Sequence, residues 1–117
     1  MAEQFYKIDE DNGVNIITLL KDDIDVHHND ELRKAFSNLL REGKNSVAID
    51  LSNTTYICTI MVVTLVIMYK KSKEAGGRFA VCNVYEKVKK VLTLIKLDKI
   101  FDIFNSRQEA IDYLRKK

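Results

Sequence analysis

The stretch from Ser46 to Tyr69, SVAIDLSNTTYICTIMVVTLVIMY, carries the strongest structural signals in this chain. Val47 to Leu51 is a short apolar run that predicts a buried strand, and Asn53 to Thr55 predicts a polar turn. The run from Ile60 to Tyr69 is rich in β-branched residues, which suit strands. Its length, and its continuation into a basic segment that ends at Gly76-Gly77, favour a helix.

Two strands are predicted before this stretch. Phe5 to Asp9 forms the first and Val14 to Leu20 the second, with apolar residues that alternate only loosely. Asp11-Asn12-Gly13 lies between them and predicts a hairpin turn, since Asn and Gly tolerate the positive φ of tight turns.

A helix is predicted between the second strand and Ser46. It follows an acidic loop, Asp22-Asp23-Ile24-Asp25. Asn29 is the expected N-terminal cap, and Gly43 occupies the position of a C-terminal glycine. The spacing of Leu32, Phe36 and Leu39 gives this helix one apolar face.

The remainder of the chain continues the alternation of strands and helices. Arg78 to Cys82 predicts a strand, and Ile100 to Phe104 predicts a short last strand. The segment between them predicts a helix, with one apolar face formed by Val84, Val88, Val91, Leu92 and Ile95. Ser106 with Glu109 predicts a capping box for a final helix. The order β-β-α-β-α-β-α-β-α predicts an α/β domain, in which helices cover a mixed central sheet of about five strands.

Composition narrows the class of protein. The 117 residues predict one domain spanning 1–117, and a net charge of +2 argues against nucleic acid or a membrane as partner. Cys58 and Cys82 do not make a disulfide framework, so reduced thiols in a cytoplasmic protein are expected. The N-terminus is acidic, unlike a signal peptide, and the apolar run is too short to span a bilayer.

An ordered set of motifs resembles the STAS family of bacterial anti-sigma factor antagonists. Asp25 matches an acid in the family's first loop, Asp50-Leu51-Ser52 its strand end, and Tyr56-Ile57 an aromatic-hydrophobic pair. The family then has Asp-Ser-Ser-Gly-Leu, with phosphorylation on the first serine, where this chain has Cys58-Thr59-Ile60-Met61-Val62. The resemblance covers nearly the whole chain and implies the STAS fold.

The resemblance also implies a function. Such a protein binds an anti-sigma factor, often a kinase, and frees a sigma factor; phosphorylation by the kinase breaks the complex. It implies no enzymatic activity and no cofactor, and it makes Thr59 the phosphorylation candidate. The residues expected to contact the partner are Asp25, Asn53, Thr54, Cys58, Thr59, Ile60 and Met61.

Three departures from the family pattern leave an alternative open. Cys58 replaces the acid beside the acceptor, Ile60 the second serine, and Met61 a glycine that lets another backbone approach. The site is expected to keep an apolar contact at Ile60 and Met61 on an exposed helix start. Thr59 is either an acceptor or a simple helix cap. The alternative is an unphosphorylated STAS scaffold or sensor that assembles with other STAS chains, with itself, or with a small ligand.

Other sequence features have weaker functional interpretations. The adjacent His27 and His28 lack the spacing of a metal-binding pair, so no metal is expected. Asp50 lies within a strand, whereas a phospho-receiver needs its acceptor aspartate after one. Cys58 lacks a convincing base for catalysis. A lysine-rich segment without interleaved aromatics favours a solvated face.

Overall fold

The described residues form one five-stranded sheet whose strands lie side by side in chain order. The structure, a computed structural model, describes residues 5–22 and 24–115; expectations for residues 1–4 and for Asp23 lie outside this range. The first two strands pair antiparallel, and each later neighbour pairs parallel. The strands are β1 (Tyr6–Asp11), β2 (Val14–Leu19), β3 (Ser46–Asp50), β4 (Arg78–Cys82) and β5 (Asp102–Phe104).

Within residues 5–22 and 24–115, four helices alternate with the parallel strands, so the predicted α/β class and order are confirmed. A short 3₁₀ turn, Leu97–Lys99, precedes the last strand. In the described part of the chain, no helix has both the length and the apolar character needed to cross a membrane. The helices are α1 (Val26–Arg41), α2 (Thr59–Glu74), α3 (Glu86–Leu94) and α4 (Arg107–Arg115).

The two faces of the sheet support two separate cores. Ile17, Ile49 and Val81 are register partners and pack on the side of α1, α2 and α3. Ile16 and Ala48 point to the other side, where α4 covers them. Since both faces are covered, β2 is buried along its whole length, which explains its loose alternation.

The predicted turns and helix ends are largely confirmed. Asn12 and Gly13 both adopt positive φ, 53° and 82°, in the β1–β2 turn. Gly43 has φ 81°, and the Lys44 N–H bonds back to the Leu39 carbonyl over 2.9 Å, which closes α1 with a Schellman motif.

Two predicted boundaries are wrong. Asn29 does not cap α1, because the helix begins a turn earlier at Val26 and its N-cap is Asp25. Ile100 does not begin β5, because the N–H groups of Ile100 and Phe101 bond to the Leu97 carbonyl and close the 3₁₀ turn. Ser106 caps α4 as predicted, accepting the Glu109 N–H over 3.2 Å.

Candidate partner-binding surface

The loop after β2 and the turn after β3 lie at the same edge of the sheet, because the two strands are parallel. The Asn53 side-chain amide donates to the Leu19 carbonyl over 3.0 Å. The Thr55 N–H donates to Asp22 Oδ1 over 2.7 Å, and the Thr55 hydroxyl donates to Asp22 Oδ2. These bonds fasten the two loops together beside the start of α2. We call the exposed part of the segments 20–22, 24–26, 53–56 and 58–63 the candidate surface.

Asp22 is the residue that links the two loops. The hydroxyl of Thr55 and then its backbone N–H hold the pKa of Asp22 below its usual range, so this carboxylate stays charged at neutral pH. In the sequence, Asp22 is recognisable only as one residue of the acidic loop before α1. Its bond to Thr55 spans 33 residues, and no local signal predicts such a pair.

Asp25 is exposed, but its carboxylate is committed to the start of α1. It accepts the His28 N–H over 2.8 Å, while its own N–H donates to His28 Nδ1 over 3.2 Å. The bond from the His28 N–H lowers the pKa of Asp25. The His28 ring also packs on Phe5, with centroids 4.6 Å apart. This histidine therefore has a structural role, and Asp25 is a helix cap whose outer edge remains accessible.

Asn29 joins the starts of the first two helices inside the protein. Its amide nitrogen donates to the Asp25 carbonyl over 2.9 Å. The Thr64 hydroxyl lies 2.7 Å from Asn29 Oδ1 and 2.9 Å from the Ile60 carbonyl oxygen. Both oxygens are acceptors, and they share the single hydroxyl proton. Both side chains are buried. Because buried polar bonds are costly to break, this link fixes the first turn of α2 against α1.

Thr59 is exposed and is the first residue of α2. The N-cap is Cys58, which makes no side-chain capping bond, so the expectation that Thr59 caps the helix is wrong. The first N–H groups of a helix have no partner within the helix. A negatively charged group on Thr59 would lie beside these donors and the positive end of the helix dipole.

Several large apolar residues of the candidate surface are exposed. Their exposed fractions run from 40% to 54%. They come from both loops and from the first turns of α1 and α2, all of which begin at the same edge of the sheet. Isolated exposed apolar residues are ordinary, but a group of this size is typical of contact surfaces. The members are Leu20, Val26, Tyr56, Ile60 and Val63.

Two expected contact residues are buried. Met61 is 2% exposed and Thr54 is 2% exposed, so the expectation that Met61 lies on an exposed helix start is wrong. The buried face of α2 runs through Met61, Leu65 and Met68, at helical spacing, and it packs in the core. Ile60 precedes this face and is 41% exposed, as expected.

Two further groups at this edge were not predicted. Tyr85, at the start of α3, is 46% exposed, and Lys87 lies close enough to help lower the pKa of Asp22. On the α4 side, Asp50 accepts bonds from the Asn83 amide over 3.0 Å and from Arg107 Nη2 over 3.1 Å. Desolvation acts to raise the pKa of Asp50, but bonds from Ser52, Asn83 and Arg107 hold it below its usual value.

The two cysteines differ sharply in environment. Cys82 is fully buried on β4, and desolvation, aided by the Asp50 charge, raises its pKa to about 12. Its thiol therefore stays protonated and unreactive. Cys58 is half-buried at the helix start. Within 5–22 and 24–115, no three His, Cys, Asp or Glu side chains are grouped as metal ligands.

Comparison with known proteins assigns the family. Residues 6–110 match the STAS domain, and the chain belongs to the STAS domain family. A Thermotoga maritima protein named "Putative anti-sigma factor antagonist" is 33% identical over 82 residues, covering 70% of this chain and 73% of its own.

Solved structures agree with the family assignment. A crystal structure under a similar name, also from Thermotoga maritima, superposes with a TM-score of 0.86 at 27% identity, covering 95% of each chain. The phosphorylated Bacillus cell fate determinant SpoIIAA shares the fold, with a TM-score of 0.74 at 17% identity, over 94% of this chain and 99% of its own. The predicted STAS-like fold is thus confirmed.

Proposed function

We propose that this protein is a cytoplasmic, non-enzymatic anti-sigma factor antagonist. It binds an anti-sigma factor through the candidate surface and so releases a sigma factor. The names of its relatives support this function. The observation that carries the proposal is the group of exposed apolar side chains around the start of α2, where two sets of polar contacts fasten the loops and the helix starts together. A rigid apolar surface loses little conformational entropy when a partner binds.

The contact residues of this proposal are the exposed members of the expected set: Asp25, Asn53, Thr59 and Ile60, with Cys58 half-exposed. Met61 and Thr54 act from beneath, as core residues that support the turn and the helix start. The Met61 side chain points inward, so it does not obstruct an approaching kinase. The replacement of the family's glycine by Met61 is therefore no steric barrier to phosphorylation of Thr59.

Thr59 is the proposed phosphorylation site and off-switch. A phosphate adds about −1.5 to −2 charges at neutral pH. Next to the exposed Ile60 and Val63, that charge must lose its hydration when an apolar partner surface closes over it. A penalty of about 1.4 kcal/mol already weakens binding tenfold.

Affinity capture of the chain from its native host, with peptide mapping of Thr59, tests both parts. We expect an anti-sigma factor of the kinase type to co-purify, with phosphate confined to the unbound chain. Thr59→Glu should reduce capture about tenfold or more, while Thr93→Glu, an exposed threonine on α3, should leave capture unchanged. Equal capture by both variants would refute the placement of the contact surface.

A second candidate function rests on Cys58 and Ile60. Cys58 stands where the family has an acid, and Ile60 stands where the family has a second serine, so Thr59 lacks both neighbours of the family pattern. An unphosphorylated STAS scaffold would keep the apolar surface and assemble with other STAS chains. Capture of STAS proteins in fixed stoichiometry, with Thr59 unmodified under every growth condition, would favour this function over the first.

A further inference from the structure

β1 presents an open edge of the sheet. It lies at one end of the strand order and pairs with β2 alone among the described strands. It is six residues long, and Ile8 at its middle is 39% exposed. An open strand edge is a template for pairing with another strand, so the groups that face outward decide what it accepts.

The backbone groups of β1 can be assigned to the two sides of the strand. The Leu20 N–H donates to the Phe5 carbonyl over 2.6 Å, and the register places Phe5 opposite Leu20 because Tyr6 lies opposite Leu19. Hydrogen-bonded and non-bonded pairs alternate along an antiparallel ladder. Lys7 and Asp9 therefore direct their backbone groups to β2, whereas Ile8 and Glu10 direct theirs to the open edge.

The side chains of β1 carry opposite charges two residues apart. Lys7 Nζ lies 3.8 Å from Asp9 Oδ2, so both project from the same face of the sheet. Asp9 also lies 3.6 Å from Arg107 Nη1. Ile8 projects from the opposite face, in line with Ile17 of β2.

These charges select one partner and one register. If a second copy pairs antiparallel about a two-fold axis at Ile8, the outward backbone groups of Ile8 meet those of its copy. Lys7 then lies opposite Asp9 of the second copy, and Asp9 opposite its Lys7, at a non-bonded position where side chains are closest. A register centred on residue 7 opposes two lysines, and one centred on residue 9 opposes two aspartates.

We propose that two copies of this chain associate through β1, antiparallel about Ile8, into a continuous ten-stranded sheet. The interface is isologous, so it closes as a dimer and does not propagate. Six strand residues bury less than the roughly 1,200 Å² of stable complexes, so the dissociation constant is expected at about 0.1–1 mM. The candidate surface, at the Tyr6 end of β1, remains open in both copies and points in opposite directions.

Charge reversal at Lys7 and at Asp9, in two separate variants and in their mixture, tests the proposed pairing of β1 with its copy. Lys7→Asp and Asp9→Lys each place two like-charged pairs across the axis, and each should weaken self-association about tenfold or more. An equimolar mixture of the two variants restores both opposite-charge pairs and should associate at least as well as the wild type. Sedimentation velocity and NMR relaxation up to about 1 mM measure all three samples, and circular dichroism checks that each variant is folded.

Ile8→Pro provides an independent test. Its lost N–H points away from β2, so the β1–β2 ladder keeps its bonds while the dimer loses two at its centre. We expect a folded monomer. A wild-type protein that is monomeric at about 1 mM, a mixture no better associated than either charge variant, or a dimer that tolerates Ile8→Pro would each overturn the proposal.

Discussion

Arg107→Met should destabilise the protein strongly, because Arg107 is the cation beside the buried Asp50. The Asp50 side chain is only 3% exposed. It receives Arg107 Nη2 at 3.1 Å and Nε at 3.3 Å, and Nη2 also donates to the Thr18 hydroxyl over 2.9 Å. Methionine keeps the unbranched stem as far as the position of Nε and removes every donor.

The magnitude follows from what remains around the carboxylate. Removing one partner of a buried ion pair costs about 3–5 kcal/mol. Arg107 is 35% exposed, and the bonds from Ser52 and Asn83 persist, so water and these donors recover part of that loss. We expect the free energy of unfolding to fall by about 2 kcal/mol at pH 7. Arg33→Met, which breaks the exposed pair with Asp30, should cost about 0.5 kcal/mol or less.

The dependence on pH has a defined sign. The folded protein lowers the pKa of Asp50, so its contribution is present above the unfolded pKa of about 3.9 and is lost as the pH falls through the folded value. The difference in the free energy of unfolding between wild type and Arg107→Met should therefore be largest near pH 6–7 and shrink below about pH 4. Urea unfolding across this range measures it. A deficit near that of Arg33→Met, or one that is constant with pH, would refute the reasoning.

Three further predictions concern single positions. Met61→Ala should lower the free energy of unfolding by about 2–4 kcal/mol in urea titrations, because Met61 is buried. Ile60→Ala, on the exposed side of α2, should lower it by under about 1 kcal/mol, and equal losses would contradict the assigned helix face. Asp25→Ala should lower the melting temperature, since it removes the α1 cap, while Asp30→Ala should not; calorimetry of both variants decides. A thiol-modifying reagent at about pH 8 should modify Cys58 in the folded protein and leave Cys82 intact. Modification of both cysteines at similar rates would contradict the buried environment of Cys82.

The fold was predictable because its signals are local. The Asn12-Gly13 turn, the glycine at 43 and the short apolar run of β3 each report on their own few residues. The start of α1 was harder to predict, because Asp25 and Asn29 are both good caps. Only the structure shows that Asp25 accepts the His28 N–H, whereas the Asn29 side chain is buried against Thr64.

The candidate site was predictable in its segments but not in its details. The run from Ile60 to Tyr69 is apolar on nearly every side, so its sequence does not reveal which side is buried. The buried side in fact includes the polar Thr64 and Ser72, and the exposed side includes Val63. The bonds from Asp22 to Thr55 and from Asp50 to Arg107 join residues 33 and 57 positions apart, and such pairs leave no periodic trace in a sequence.

The turns at the other end of the sheet have a practical consequence for measurement. The β1–β2 turn at Asn12 and Gly13, the glycines before β4 and the last turn of α4 at Leu114 and Arg115 line one shallow cavity of about 550 Å³. They lie at the opposite end of the strands from the candidate surface. A protein immobilised or labelled through this end would present the start of α2 to solution, so a sensor chip coupled there would report binding without steric interference.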